Sequence, residues 1–127
     1  MNGSKYLLDT NVLLKYLQGD PQLKFLYKPD VKIVISVISI IEIQCHKALS
    51  AKENNLIADF IEQNECVNIS MEDKMLIKSA VNIRKKYKIK LPDALIAASA
   101  IITASTLISG DINFKNIFGL KFNLIHA

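Results

Sequence analysis

Residues 7–14, LLDTNVLL, place a single carboxylate, Asp9, between a short apolar run and the start of a helical pattern. Residues 6–8 read as a strand. From Asp9 to Gly19 the apolar positions 12, 13, 14, 16 and 17 follow, and glycine ends the helix. Read this way, the stretch is a strand that feeds directly into a helix, with an acid at the join. Taken alone, that acid has two readings. It can be a cap for the helix, worth about 1 kcal/mol or less, or the first member of a catalytic cluster.

The same strand-to-helix grammar repeats along the chain. Residues 31–37, VKIVISV, form the clearest β-branched strand, and Ser39 is expected to open a helix to about Ser50. Residues 21–27 suit a short helix, and residues 52–64 a longer one. Residues 66–69 make a brief strand. Ser70, with Asp73 three residues on, resembles a capping box for a helix ending near Lys86. Pro92 suits the first turn of the next helix, which runs to about Ala104. Residues 106–109 and 121–125 supply the last strands. Apolar strands alternating with helices imply a parallel sheet of about five strands covered on both faces, an α/β/α sandwich. No repeat, linker or low-complexity segment breaks the chain, so residues 1–127 are expected to be one domain.

Composition narrows the class. Half of the 127 residues are hydrophobic, enough for a real core without disulfides or a structural metal. Cys45 and Cys66 lie far apart without zinc spacing and read as small core residues in a reduced compartment. The N-terminus lacks the apolar segment of a signal peptide. The run 94–108, ALIAASAIITASTLI, is shorter than the ~20 apolar residues of a spanning helix and is diluted with Ser and Thr. These features lead us to expect a cytoplasmic protein with no membrane partner.

Net charge is +4, from fifteen lysines, one arginine and twelve acids. Residues 78–90, KSAVNIRKKYKIK, hold six basic residues and no acid, whereas residues 53–73 hold six acids and no base. The basic run suits a helix C-terminus and its dipole. It also ends two residues before Pro92-Asp93. Arg84, Lys85, Lys86, Lys88 and Lys90 are therefore the candidates for guiding a nucleic-acid backbone.

In a parallel α/β sheet, sites form outside the carboxyl ends of the strands, where strand order reverses. Four acids fall there. Asp9 follows the first strand, Glu42 sits one turn into the helix after the second, Asp93 lies in the first turn of its helix, and Asp111 follows 106–109 across one glycine. Each has an ordinary reading: a cap, a dipole partner, a turn residue, or for Glu42 a solvated helix stripe shared with His46. Together they would repel one another in a single pocket unless divalent cations neutralised them. Oxygen donors without a His or Cys cluster favour Mg²⁺ or Mn²⁺ over zinc. One or two such ions are the chemistry of phosphodiester hydrolysis.

The motifs LLDTNVLL (7–14), ISVISIIEI (35–43), LPDALIAASA (91–100) and LISGDINF (107–114) resemble those of PIN-domain proteins, in the same order and spacing. Most similar are the short VapC-like toxins of toxin–antitoxin pairs. The resemblance spans nearly the whole chain. It implies a PIN-like fold and a Mg²⁺- or Mn²⁺-dependent endoribonuclease that leaves a 5′ phosphate and a 3′ hydroxyl on RNA of the tRNA or rRNA class. Asp9, Glu42, Asp93 and Asp111 match the family's acidic quartet as catalytic metal ligands. Thr10 and Asn11 fall beside Asp9 as supporting groups, and Ser109 takes the hydroxyl position of the last motif. The resemblance also implies a homodimer and a cognate antitoxin whose tail, often with a basic side chain, enters the acidic pocket. Two positions depart from the pattern. Asn113 stands where a second acid is common, which weakens the case for a second ion. His46 stands where a small residue is usual.

Three other readings compete. A housekeeping RNA-processing nuclease of the same fold differs only in biological setting. An inactive PIN-like module that binds RNA or protein is at odds with a complete quartet. A phosphoacceptor receiver domain needs an acidic pair after the first strand and a lysine after the last, and this chain has neither.

Overall fold

The computed structural model describes residues 4–46, 49–68, 70 and 72–126. Five strands form one sheet: β1 (Lys5–Leu8), β2 (Lys32–Ser36), β3 (Glu65–Val67), β4 (Thr106–Ser109) and β5 (Lys121–Leu124). Their order is β3-β2-β1-β4-β5, and every neighbouring pair is parallel. Helices α1 (Thr10–Leu17), α2 (Val37–His46), α3 (Ala51–Gln63), α4 (Lys74–Tyr87) and α5 (Leu91–Ile102) complete an α/β/α sandwich.

Alternation along the strands explains the two layers. Leu7, Val34 and Leu107 point into a core with Leu76, Ala80 and Ile83 of α4 and the apolar side of α5. Their neighbours Leu8, Ile33, Ile35 and Ile108 point the other way, onto Val12 and Leu13 of α1, Ile43 of α2 and Ile57 and Phe60 of α3. Both faces of the central strands are buried, which is why those strands read as continuous apolar runs. Truncating Leu7 or Leu8, each with no exposed surface, would cost about 2–5 kcal/mol. Helix α5 lies deepest, and the small residues Ala94, Ala97, Ala98 and Ala100 let it seat closely.

Several boundaries differ from the sequence expectation for local reasons. Helix α2 starts at Val37, two residues before Ser39, because the Ser36 hydroxyl accepts the Ile38 N–H at 3.1 Å and turns the chain there. Its described part ends at His46. Ser50 lies outside it as the N-cap of α3, in a reciprocal capping box with Glu53. Asp73, not Ser70, caps α4 by accepting the Leu76 N–H at 3.0 Å, while Ser70 shapes the preceding turn. Residues 21–27 form a 3₁₀ helix, Pro21–Leu26, capped by Asp20. Strand β3 begins at Glu65, and Ile69 lies outside the described residues. The core assignment of the cysteines is corrected: Cys45 is exposed and Cys66 is half-buried. Among the described residues, no helix is long and apolar enough to cross a membrane.

Candidate functional site

The sheet order reverses at β1: β2 and β3 lie to one side, β4 and β5 to the other. The carboxyl ends of β1 and β4 therefore open the crevice in which ligands bind in such folds. Asp9 stands at the end of β1, where its N–H still pairs with the Ile108 carbonyl at 3.0 Å. The residue is 8% exposed, and its carboxylate is doubly held. Oδ1 accepts the Thr10 N–H at 2.8 Å, and Oδ2 accepts the Ser109 hydroxyl at 2.6 Å. Ser109 in turn accepts the Asp111 N–H at 3.0 Å, so one buried hydroxyl joins the ends of β1 and β4.

The other acids arrive from separate elements. Glu42 projects from α2 and accepts the Thr10 hydroxyl on Oε1 at 2.7 Å. Asp93 sits in the first turn of α5, and Asp111 opens the 3₁₀ turn Ile112–Phe114 by accepting the Asn113 N–H on Oδ1 at 2.9 Å. Asp9, Glu42, Asp93 and Asp111 line one cavity of about 350 Å³, with Thr10, Asn11 and Cys45. A larger groove of about 670 Å³ adjoins it, sharing Thr10, Asn11 and Asp111 and walled by Val12, Ile43 and Ile125.

Crowding of acids has an electrostatic signature. Burial pushes the Asp93 carboxyl up to about 6, and the charges of Asp9, Asp111 and Glu42 push in the same direction, against a smaller downward pull from Lys90. Burial also raises Asp9, while its bonds from Ser109 and Thr10 oppose the rise and Glu42 and Asp111 add to it. A divalent cation would relieve that repulsion, and the all-carboxylate donor set matches a hard ion such as Mg²⁺ or Mn²⁺. Among the described residues, however, no three His, Cys, Asp or Glu side chains are already grouped to hold an ion.

Not every candidate residue reaches this cavity. Asn113 is exposed, contributes its backbone N–H to Asp111 and is not among the residues that line the cavity. The members of the basic run have different surroundings. Arg84 donates to the Ile89 carbonyl at 2.6 Å and fastens the turn after α4, where Lys88 adopts a left-handed conformation. Lys86 lies 5.4 Å from the Tyr87 ring centre, beside a different groove with Met75, Lys78 and Phe118. Lys85 is exposed near the end of α4, and the charge of Lys90 acts on Asp93. The residue that sequence reasoning missed is Cys45, three positions after Glu42 on the same side of α2. The spacing is a legible signal. The side chain of His46 lies outside the described residues.

A five-stranded parallel sandwich with an acidic cavity at its switch point defines a class of α/β domain built around carboxylate chemistry. The family is specific: residues 6–119 match the PIN domain, and the chain belongs to the PIN domain family, whose members are generally nucleases. No curated protein matches it significantly. Among solved structures, it is similar to a chain of VapBC2 from Rickettsia felis bound to a promoter DNA fragment. That match has TM-score 0.75 and 24% identity, over 95% of this chain and 98% of the other. A chain of a toxin–antitoxin complex from Klebsiella pneumoniae gives TM-score 0.69 and 28% identity, over 91% and 94%. A chain of VapBC-1 from nontypeable Haemophilus influenzae gives 0.70 and 20%, over 94% and 97%.

Proposed function

We propose that residues 1–127 form one PIN nuclease domain acting as a metal-dependent endoribonuclease, the toxin of a VapBC-type pair in the cytoplasm. The observation that carries this reading is the convergence of Asp9, Glu42, Asp93 and Asp111, from four separate elements, on one cavity at the switch point. These carboxylates would hold one or two Mg²⁺ or Mn²⁺ ions, which supply charge neutralisation at the phosphodiester and an activated water. Within the chain, Ser109 and Thr10 fix the directions of Asp9 and Glu42. Lys90 offers a positive charge at the rim for the RNA backbone, with Lys85 and Lys88 as outer contacts.

The toxin setting draws support from neighbours such as the Klebsiella complex, which matches at 28% identity over nearly the full length of both chains. A cognate antitoxin is the corresponding partner, and the groove adjoining the acids offers it a place beside the cavity. A homodimer draws support from exposed apolar side chains: Met75 (76% exposed) and Phe118 (86% exposed) at one groove, and Ile77 and Val81 on another side of α4.

The test is cleavage of a tRNA and rRNA pool with Mg²⁺ or Mn²⁺, followed by end analysis. We expect EDTA-sensitive products with 5′ phosphates, and growth arrest on expression that Asp9→Asn relieves. Cleavage without growth arrest would move the protein to a housekeeping RNA-processing role. Absence of metal-dependent cleavage across the pool would overturn the assignment.

A further inference from the structure

Thr10 touches two of the four acids through two different groups. Its backbone N–H donates to Asp9 Oδ1, and its hydroxyl donates to Glu42 Oε1 across 32 positions of sequence. The hydroxyl bond ties the first turn of α1 to α2, and at 2.7 Å it is a short, charge-assisted contact. Asp9 Oδ2 is engaged by Ser109. Each of these three oxygens therefore keeps only part of its lone-pair capacity for a ligand. Glu42 in particular presents one oxygen tethered to protein and the other turned loose. A carboxylate so held offers its untethered oxygen to an ion more readily than both at once, because chelation would make Oε1 serve the Thr10 hydroxyl and the ion together.

That constraint distinguishes cations. Ca²⁺ takes roughly six to eight oxygens in flexible geometry and often uses both oxygens of a carboxylate, whereas Mg²⁺ demands near-octahedral single-oxygen ligation and keeps several waters. We propose that Thr10 is a positioning residue for Glu42 whose hydroxyl makes the site select Mg²⁺ or Mn²⁺ over Ca²⁺. This rests on the metal-site reading above and adds the source of its selectivity.

Thr10→Val keeps the branched shape and the N–H to Asp9 while deleting the hydroxyl, and Thr10→Ser keeps the hydroxyl. Thr10→Ala is a second hydroxyl-free variant should valine disturb folding. Calorimetric titration of each folded protein with Mn²⁺ and, separately, with Ca²⁺ reads the selectivity without reference to activity. We expect the wild type and Thr10→Ser to share one Mn²⁺-over-Ca²⁺ preference. In the hydroxyl-free variants Mn²⁺ binding should weaken by about 10–100-fold, the usual cost of losing a residue that orients a ligand. Ca²⁺ binding should change less, so the preference narrows. An unchanged preference in a hydroxyl-free variant overturns the selectivity role and leaves the metal site standing. A wild type that binds neither ion overturns the metal site itself, and the inference with it.

Discussion

The ends of β1 and β4 and the end of α4 both carry dense charge, yet they are built in opposite ways. At the strand ends, Asp9 is nearly buried, its backbone is still in the ladder, and both of its oxygens have donors. At the helix end, the basic residues 84–86, 88 and 90 are all exposed, and the Arg84 side chain closes a turn with its hydrogen bond to the Ile89 carbonyl. One region fixes the position of each charge through several bonds. The other holds a density of exposed charge, with Arg84 fastened to a turn and Lys86 beside the Tyr87 ring. Catalytic geometry needs the first kind of construction, and guiding a flexible polyanion needs only the second.

The sharpest way to break this contrast is to remove a charge from the rigid region. Asp9→Asn should lower metal-dependent cleavage by about a hundredfold or more while leaving the melting transition in place, because one of four repelling charges is lost. Retention of full activity would show that the strand-end cluster is not the catalytic centre.

The next effect concerns the bonds rather than the charges. Ser109→Ala leaves Asp9 Oδ2 and the Asp111 N–H without their shared partner. Stability should fall by about 1–3 kcal/mol, the cost of unmet buried polar groups. Metal affinity should fall by about 10–100-fold. Denaturant unfolding and Mn²⁺ titration measure the two separately, and loss of stability with unchanged affinity would reduce Ser109 to a packing role.

Crowding itself predicts a pH dependence. An unfolded Asp93 titrates near its ordinary value of 3.8, and in the fold its carboxyl is pushed up to about 6. Below about pH 4 both states carry the proton, so the group's full stabilising contribution is present. As pH rises through 6 the folded protein must ionise Asp93 beside other acids, and that contribution is lost. The metal-free protein should therefore lose stability between about pH 4 and 6, by the order of 1 kcal/mol once solvent screening of a partly exposed group is allowed for. Asp93→Asn should flatten this part of the profile, and added Mg²⁺ should restore stability at pH 7. A profile with the same slope in both proteins would show that Asp93 is not held in that crowd.

The contrast also explains what was legible in the sequence. Asp9 and Asp111 could be placed because they follow strands by a fixed number of residues, and a parallel sheet sends all strand ends to one edge. Glu42 and Asp93 followed from helix register. The tethers to Thr10 and Ser109 depend on side-chain directions across the chain, and spacing along the sequence does not encode those. The basic run lies close to Asp93 in sequence, and spacing does not encode the break within it: the left-handed residue Lys88 ends α4, and the chain turns there before Lys90 opens α5. Cys45 was read as core because cysteine is usually buried, although its position three residues after Glu42 placed it on the cavity side.

The smallest expected effect separates members of the basic run. Lys90 is the N-cap position of α5, and its charge acts on Asp93, which lines the acidic cavity. Lys86 instead borders the groove formed with Met75 and Phe118. If RNA crosses the cavity, Lys90→Gln should weaken binding several-fold and reduce the slope of log affinity against log salt by about one. Lys86→Gln should change neither by more than about twofold. The same Lys90 variant removes the downward pull on Asp93, so its carboxyl should titrate higher still in the free protein. Equal losses in both variants would mean that the polyanion reads the whole helix end as diffuse charge. A loss confined to Lys86 would move the RNA path to the other groove, away from the four acids.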